Sequence, residues 1–316
     1  MGHFFYQFLS PTAVAVIGVL ITFGFTFLLL RHPFPFLPKD QGRKYAVNGA
    51  LSKGKTRGVG LVFMIPFTIC SLLFLPWSWE YLVYLLLMIG MMLSGYLDDA
   101  SDKPWSEYKK GLIDFILSAA AVFTFLNFNS TEIFIGPFAV TLPSWLFAVL
   151  GIILFWASVN VTNCSDGVDG LCASLCTVSL FSFVLIFSSV LEQYTVAALF
   201  LAAVLLAYLY FNCSPSSMLM GDAGSRALGF FLAVMALKSG HPFIFLLLAA
   251  VMIVDGGSGL VKIFLKRFLK ISVLVNTKTP IHDHMRKNKG WSDTQVVTRF
   301  VIIQVVLAAV AYLIVC

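Results

Sequence analysis

Charged side chains are scarce in this chain: Asp, Glu, Lys and Arg make up 11% of it, whereas 59% of its residues are hydrophobic. A soluble domain needs a largely polar surface, so this composition excludes one and predicts a polytopic membrane protein. Internal repeats, low-complexity segments and stretches of soluble-domain composition are also missing. We therefore expect residues 1–316 to form a single all-α integral membrane domain.

Cysteine is also sparse, and its spacing is uninformative. The six cysteines lie in or beside apolar runs, without the spacing of a disulfide framework or a zinc site. We interpret them as small packing residues. The first apolar run is too long for a signal peptide and has neither a basic flank nor a cleavage site, so we expect it to be retained as a helix.

Long apolar runs are what the chain has in abundance. A membrane-spanning helix needs about 20 such residues, and ten runs approach that length. An even number of crossings puts both termini on the same side of the membrane. The runs begin near Pro11, Gly58, Tyr81, Leu112, Ser144, Leu171, Thr195, Ala227, Pro242 and Val296.

The basic residues predict which side that is. Five connecting segments together hold 20 of the 21 Lys and Arg residues, although one of them, 160–170, contributes none, and only Lys238 lies elsewhere. The positive-inside rule makes these segments cytoplasmic and both termini external. The net charge of +6 is explained by anionic lipid and does not indicate nucleic acid. The five segments are 31–57, 98–111, 160–170, 212–226 and 262–299.

Two apolar regions carry internal interruptions. The external link Phe128–Pro143 alternates around Gly136 and Pro137 and predicts a small hairpin. The run from Pro242 contains Asp255 followed by three nearby glycines. We expect that helix to break or bend there, with the Asp255 carboxylate turned inward.

The stretch NVTNCSDGVDGL, residues 160–171, lies between two long apolar runs. Its amides and carboxylates recur at every third position: Asn160, Asn163, Asp166 and Asp169. This spacing lines them up along one edge of a 3₁₀ turn, and Gly167 and Gly170 argue against a regular helix. A polar turn between two helices is the simpler interpretation, but it needs no such density of Asn and Asp. We expect a loop that binds a sugar, a base or a hydrated cation.

Two further acidic segments lie on the predicted cytoplasmic side. Asp98 and Asp99 are adjacent, and Asp222 lies between two glycines where another helix begins. Neighbouring carboxylates repel, so such a pair usually implies a cation, a proton or a basic partner. A carboxylate at a helix N-terminus can hold a metal while backbone N–H groups receive phosphate oxygens. Taken singly, the pair also fits a solvated acidic loop, and Asp222 also fits a helix cap.

The last cytoplasmic segment is basic and rich in histidine. His282 and His284 flank Asp283, and Arg286 and Lys287 follow. Two histidines do not complete a zinc site, and imidazole and cationic donors better suit a pyrophosphate. An ordinary basic anchor loop would account for some of the lysines. Together, acidic loops and a basic loop on one membrane face are what Mg²⁺-assisted phosphoryl transfer requires.

These segments, in this order, resemble the polyprenyl-phosphate N-acetylhexosamine-1-phosphate transferase superfamily. GYLDDA is similar to its aspartate-pair motif, NVTNCSDGVDGL to its NxxNxxDGxDGL motif, and MGDAGS to its MGDxGS motif. PIHDHMRKNKGW followed by VVTRF resembles the histidine segment of one branch, the phospho-N-acetylmuramoyl-pentapeptide transferases (MraY). The resemblance runs from about Lys53 to Phe300 and carries the same ten-helix layout.

The resemblance implies transfer of phospho-MurNAc-pentapeptide from UDP-MurNAc-pentapeptide to undecaprenyl phosphate, giving lipid I and UMP in the bacterial plasma membrane, with Mg²⁺ required. By carry-over, Asp222 would bind the metal, Asp98 would deprotonate the lipid phosphate, and Asp99 would assist with the metal or the lipid. One-step and two-step mechanisms fit equally well, and a homodimer stays open. The remaining substrate-binding positions would be Lys53, Asn160, Asn163, Asp166, Asp169, Asn212, Leu219, His282 and His284.

Some positions depart from the family pattern. KTRGVG, residues 55–60, stands where the family has a PTxGG-like stretch, and Lys103 is displaced by one position from the usual lysine. Asp283 occupies the centre of the histidine segment, and Leu219 stands where an aromatic residue often stacks on uracil. These changes leave open a sibling enzyme that takes UDP-GlcNAc as its donor.

Two interpretations from other classes fit less well. Secondary transporters place ionisable groups at mid-membrane and often contain repeats. Here only Asp114 and Asp255 are expected to be embedded, and no repeat is visible. A structural scaffold would leave the acidic loops unexplained.

Overall fold

The computed structural model describes residues 8–42, 52–101, 103 and 105–316, so part of the predicted cytoplasmic segment 31–57 lies outside the described residues. Twelve α-helices and one hairpin are described. Their bounds are α1 Pro11–Leu30, α2 Gly60–Phe74, α3 Trp79–Asp99, α4 Glu107–Phe128, β1 Glu132–Ile135, β2 Phe138–Thr141, α5 Ser144–Cys164, α6 Leu171–Leu191, α7 Gln193–Asn212, α8 Gly221–Lys238, α9 Phe245–Leu248, α10 Ala250–Phe264, α11 Ile281–Lys289 and α12 Asp293–Val315.

Every predicted apolar run forms a helix, and the run from Pro242 forms a bent pair of helices. Among the described residues, seven helices are long and apolar enough to cross a membrane, or eight if the bent pair counts as one span. Two of the ten predicted spans do not meet this criterion: α2 has only 15 residues, and α8 carries Asp222, Arg226 and Lys238. The prediction of a helical, multi-pass membrane protein is confirmed at this level.

The helices are arranged around a buried centre. Nearly every residue of α8 is buried, and this helix packs against α3 and α5. Helices α6 and α7 pack against each other beside it. By contrast, few residues of α1 and α12 are buried within the protein, as expected for helices that face lipid. The central position of α8 holds the residues at its N-terminus in a fixed place.

The hairpin predicted in the link Phe128–Pro143 is confirmed. Strands β1 and β2 pair antiparallel on either side of Gly136, which has a φ of 59°. The backbone N–H of Phe134 donates to the carbonyl of Gly240 at 2.8 Å, and the Phe134 ring stacks on His241. The hairpin is therefore fastened to the end of α8.

The predicted position of the helix break was wrong. The 90° bend lies between Leu248 and Ala250, whereas α10 runs without interruption through Asp255 and the glycines. Gln304 on α12 stabilises the bend, because its side chain accepts from the Val251 N–H at 3.0 Å and donates to the Leu247 carbonyl at 2.9 Å. Backbone groups freed by a break inside the membrane need such partners.

Close packing explains the glycine that follows Asp255. A Cβ atom on Gly256 would press against Cys164 and the Val161 backbone on α5. This glycine therefore allows α10 and α5 to approach each other and does not bend α10. The inward orientation predicted for Asp255 is confirmed, since its residue surface is 1% exposed.

Candidate active site

Three aspartates from three separate segments share one arginine. Arg57 Nη2 lies 2.8 Å from Asp99 Oδ1 and 3.3 Å from Asp222 Oδ1, and Nη1 lies 3.6 Å from Asp40 Oδ2. The backbone N–H of Asp222 also donates to Asp99 Oδ2 at 2.8 Å. The end of α3 and the start of α8 thus join in one cluster, which we call the aspartate cluster (Asp40, Asp99 and Asp222 around Arg57).

Glycines on both helices permit this approach. A Cβ atom on Gly95 of α3 would overlap the Asp222 backbone, so only glycine allows the two helices to come so close. Gly221 has a φ of 66°, in the region that favours glycine, and a Cβ there would collide with the Asp99 carboxylate. Sequence and packing therefore set the distance between the two carboxylates.

Arg57 reaches the cluster because its segment pairs with the loop before α8. The Leu219 N–H donates to the Thr56 carbonyl at 2.9 Å, and the Val59 N–H donates to the Leu219 carbonyl at 3.1 Å. This pairing fixes the backbone of Leu219, whose side chain is half-buried. Burial by itself lowers the pKa of Arg57, but Asp99, Asp222 and Asp40 outweigh it, so the pKa is raised above its usual value.

The predicted row of amides and carboxylates in residues 160–169 is divided. Helix α5 continues to Cys164, so the expectation of a 3₁₀ edge was wrong for Asn160 and Asn163. On an α-helix these two side chains diverge by about 60°. Asn163 donates to Asp222 Oδ2 at 3.3 Å, whereas Asn160 donates to Asp114 Oδ2 at 3.5 Å on α4. Of these two amides, Asn163 is the one that contacts the aspartate cluster.

Asp169 and Asn212 connect the loop between α5 and α6 to the loop before α8. Asp169 Oδ2 accepts from Lys55 Nζ at 3.3 Å and from the Ser216 N–H at 2.9 Å. Asn212 Oδ1 accepts from the Gly170 N–H at 2.9 Å. Both side chains therefore fix the loop between α5 and α6 against the loop before α8. Asp166 lies half-buried on the same turn, and its charge contributes to the raised pKa of Arg57.

Asp98 lies next to Asp99 in the sequence but has different partners. Its Oδ1 accepts from the Trp105 N–H at 2.8 Å, and its Oδ2 pairs with Lys110 on α4. Successive helical residues point about 100° apart, which separates the two carboxylates. The adjacent residues Asp98 and Asp99 thus lie in two different environments. Asp99 belongs to the aspartate cluster, and Asp98 belongs to the junction of α3 and α4.

Asp255 and His282 form a buried pair behind the site. The His282 N–H donates to Asp255 Oδ1 at 2.7 Å, and His282 Nδ1 lies 2.8 Å from Asp255 Oδ2. A proton on Nδ1 satisfies this contact and directs Nε2 to Gly167, where a Cβ atom would collide with it. His282 therefore contacts the loop between α5 and α6. His284 instead accepts from the Lys278 N–H at 3.3 Å, within its own segment.

Other basic side chains of the last predicted cytoplasmic segment hold that segment together. Arg286 Nε lies 2.8 Å from Asp293 Oδ1, across the corner between α11 and α12. The Arg299 guanidinium lies over the Trp291 ring at 4.2 Å from its centroid. These two arginines therefore stabilise the segment itself, and the anchor-loop interpretation of its lysines stays a prediction.

In the segment before α2, Lys55 and not the predicted Lys53 contacts a site aspartate, because Lys55 pairs with Asp169 and the Lys53 side chain is exposed. Arg57, Asp40 and Ser225 also lie at the site, although they were not predicted from the sequence. Ser225 donates to Asn163 Oδ1 at 3.2 Å and so holds that amide towards Asp222. The departure from the PTxGG-like pattern at KTRGVG was the available signal for Lys55, because this lysine stands in the place of a proline beside acidic loops. Arg57 stands at the variable position of that pattern, which gave no signal.

Within the part of the chain that the structure describes, no group of three or more His, Cys, Asp and Glu side chains is suited to hold a metal. Mg²⁺ does not require one, because it usually takes one or two carboxylates together with phosphate and water oxygens. Asp99 and Asp222 offer two such carboxylates, already brought together by the Asp222 N–H. Their oxygen-only donor set fits Mg²⁺ bound with a phosphate substrate.

Comparison with the sequences of known proteins shows which family this chain belongs to. The model of glycosyl transferase family 4 matches residues 81–240, which include Asp98, Asp99, Asn163 and Asp222. A phospho-N-acetylmuramoyl-pentapeptide-transferase of Treponema pallidum (strain Nichols) is 38% identical over 95% of this chain and 89% of its own length. The chain belongs to glycosyl transferase family 4.

Two more distant relatives bear the same name. The phospho-N-acetylmuramoyl-pentapeptide-transferase of Clostridium botulinum (strain Alaska E43 / Type E3) is 28% identical over 99% of both chains. That of Bartonella quintana (strain Toulouse) is 29% identical over 87% of this chain and 84% of its own length. The family 4 match ends before Asp255 and His282 and begins after Arg57. The geometry of those three residues comes from the structure alone.

Proposed function

We propose that this protein transfers phospho-MurNAc-pentapeptide from UDP-MurNAc-pentapeptide to undecaprenyl phosphate, giving lipid I and UMP for peptidoglycan synthesis. The observation that carries the proposal is the close approach of the Asp99 and Asp222 carboxylates around the guanidinium of Arg57. These carboxylates come from two helices that are far apart in the sequence. Relatives named for this activity align with nearly the whole chain, which supports the same donor and acceptor.

In the proposed reaction, an oxygen of the lipid phosphate attacks the donor phosphorus that carries the sugar. The bond from this phosphorus to the oxygen of UMP breaks, and UMP leaves with the electron pair. Asp98 takes the proton of the lipid phosphate, while Lys110, now its ion-pair partner, turns to the phosphate. Asp222 and Asp99 would hold Mg²⁺, which would supply positive charge to neutralise the diphosphate.

The donor would lie along the loop between α5 and α6. Asn163, at the end of α5, and Asp166, on the loop that follows, lie next to the aspartate cluster, so they would contact the nucleoside or diphosphate. Asp169 and Asn212 would hold the loop in shape, as their contacts with Ser216 and Gly170 suggest. His282 would present Nε2 to the donor from the opposite side.

The decisive experiment gives the purified protein undecaprenyl phosphate and each of two donors, UDP-MurNAc-pentapeptide and UDP-GlcNAc, and measures UMP release and lipid product. We expect turnover with the first donor only. Turnover with UDP-GlcNAc alone would assign the protein to the sibling activity. A transporter is less favoured, because the two embedded carboxylates, Asp114 and Asp255, each have a dedicated partner in Arg226 and His282.

The proposed topology has ten crossings, external termini and a cytoplasmic site, in the bacterial plasma membrane. A cysteine at Phe138, which is 72% exposed on the hairpin, should react with an impermeant label from outside the cell. A cysteine at Lys278 should react only after the membrane is opened. Labelling of both positions from one side would contradict this orientation. Crosslinking in membranes would test whether the protein forms a homodimer.

A further inference from the structure

Arg57 differs from neighbouring cations at this end of the molecule. Lys55, Lys110 and Arg226 each pair with one carboxylate, those of Asp169, Asp98 and Asp114 respectively. Arg57 instead contacts three, at 2.8 to 3.6 Å. In the aspartate cluster, the single positive charge of Arg57 therefore forms ion pairs with three carboxylates.

The guanidinium of Arg57 lies where a bound cation would compete with it. Its Nη2 contacts one oxygen of Asp99 and one of Asp222, the two carboxylates best placed to bind Mg²⁺. A divalent ion on these oxygens would lie within a few ångströms of the guanidinium and repel it. Arg57 Nη2 and the metal cannot both bind Oδ1 of Asp222.

Arg57 also has hydrogen-bonding capacity that its carboxylates do not use. Among the described residues, none accepts a hydrogen bond from the buried Nε–H of Arg57. The side chain is 25% exposed, so the guanidinium can turn towards a ligand without breaking the fold. A planar guanidinium that loses a carboxylate finds its best replacement in phosphate oxygens, which it can bind in a bidentate manner.

We propose that Arg57 is a mobile cation of the active site, which occupies the carboxylates before the metal binds and then moves to the diphosphate of the nucleotide donor. In the first state Arg57 holds Asp99 and Asp222 together and lowers their mutual repulsion. In the second state the same guanidinium binds the donor's diphosphate next to the metal. The second step rests on the proposed function, whereas the first depends only on the aspartate cluster.

The test uses Arg57→Gln in the purified full-length protein and two binding measurements. Apparent Mg²⁺ affinity without nucleotide is obtained from the dependence of the thermal unfolding temperature on Mg²⁺ concentration. Affinity for UDP is obtained by calorimetry at saturating Mg²⁺. We expect Mg²⁺ to bind about tenfold more tightly, because the competing guanidinium is gone. We expect UDP to bind about tenfold more weakly, because the diphosphate loses a cationic partner.

Two further variants separate charge from geometry. Arg57→Lys keeps the positive charge but not the planar fork, so Mg²⁺ affinity should stay near that of the unmodified protein while UDP affinity falls. Arg31→Gln makes the same chemical change at an exposed arginine on the same side and should alter neither affinity. If Arg57→Gln does not fold, the Arg57→Lys comparison still decides the UDP step.

Several outcomes would overturn the inference. Weaker binding of both Mg²⁺ and UDP in Arg57→Gln would mean that Arg57 only holds the cluster together. Unchanged Mg²⁺ affinity would show that Arg57 does not compete with the metal, and unchanged UDP affinity would remove it from the diphosphate site. Failure of the proposed function appears elsewhere, as absent turnover of UDP-MurNAc-pentapeptide by the unmodified protein, so the two failures are distinguishable.

Discussion

The two ends of the helix bundle both contain buried charges, but they pair them differently. At the end opposite the candidate site, Lys238 Nζ lies 2.9 Å from Glu80 Oε2 and donates to Asn129 Oδ1 at 2.7 Å. Asn129 Nδ2 in turn donates to Glu80 Oε1 at 2.6 Å. One cation, one carboxylate and one amide satisfy each other. In the aspartate cluster, by contrast, Arg57 serves three carboxylates.

This difference distinguishes a structural clamp from a ligand site. A balanced, hydrogen-bonded pair joins the ends of α3, α4 and α8 and needs nothing further. An excess of carboxylates around one cation is costly unless another cation is supplied, which is how a protein prepares a metal site. The comparison also explains why Lys238 is the exception to the charge pattern: its partner is Glu80, and no lipid headgroup is needed.

Loss of a carboxylate from the aspartate cluster should have the largest effect. We expect Asp222→Asn to fold normally and to lose at least about 10³-fold in kcat, equivalent to ~4 kcal/mol, because the charge that holds the metal is gone. Turnover of purified protein at saturating Mg²⁺ is the measurement. Glu80→Gln makes the same kind of change at the opposite end and should keep kcat within about twofold. Near-normal turnover of Asp222→Asn would remove this residue from the site.

The separation of Asp98 from the cluster predicts two distinct phenotypes. Asp98→Asn should leave UDP affinity nearly unchanged and lower kcat by about 10²–10⁴, as expected for loss of a general base. Asp166→Asn or Asn163→Ala should instead weaken UDP binding. Calorimetry with UDP and steady-state kinetics measure the two effects. An equal loss of UDP affinity in Asp98→Asn and Asp166→Asn would show that the division of roles is wrong.

A smaller effect is expected at Asp255, which positions His282. In Asp255→Asn, the amide would donate to Nδ1 or lose that contact, so Nε2 would no longer be the free acceptor facing Gly167. We expect kcat to fall about tenfold with little change in UDP affinity. Asp255→Glu should restore part of the rate because it keeps the acceptor. No rescue, together with a large loss of thermal stability in both variants, would indicate a purely structural role.

The smallest effect on turnover should come from the clamp at the opposite end. Lys238→Met leaves the Glu80 carboxylate buried without its cation, which should cost about 3 kcal/mol and lower the unfolding temperature by roughly 5 °C. The double variant Glu80→Gln/Lys238→Met should recover part of this loss, since no unpaired charge remains. Turnover per folded molecule should change by less than about twofold. A tenfold fall in turnover would erase the distinction between the two ends.

Much of the architecture could be predicted from local sequence. Apolar runs of sufficient length predicted the positions of the helices, and the alternation around Gly136 predicted the hairpin. The position of the bend could not be predicted, because it depends on Gln304, a side chain on another helix that satisfies the freed backbone. The glycines after Asp255 suggested a break, but one of them serves close packing against α5.

The site was predictable residue by residue but not as an arrangement. Motifs identified Asp98, Asp99, Asn163 and Asp222, and the distribution of Lys and Arg placed them on a common side. Neither signal could show that Asp98 and Asp99 have different partners, or that Asn160 lies against α4. Those outcomes follow from the direction in which each helix ends, which is decided by packing.

The sequence by itself determined the class of the protein, its apolar segments and the chemical character of its loops, because hydropathy, spacing and charge are properties of neighbouring residues. The tertiary structure alone decided that Arg57 would pair with Asp40, Asp99 and Asp222, and that His282 would hydrogen-bond to Asp255. These contacts join residues far apart in the chain, and they form only when helices pack closely enough for glycines such as Gly95 to be required.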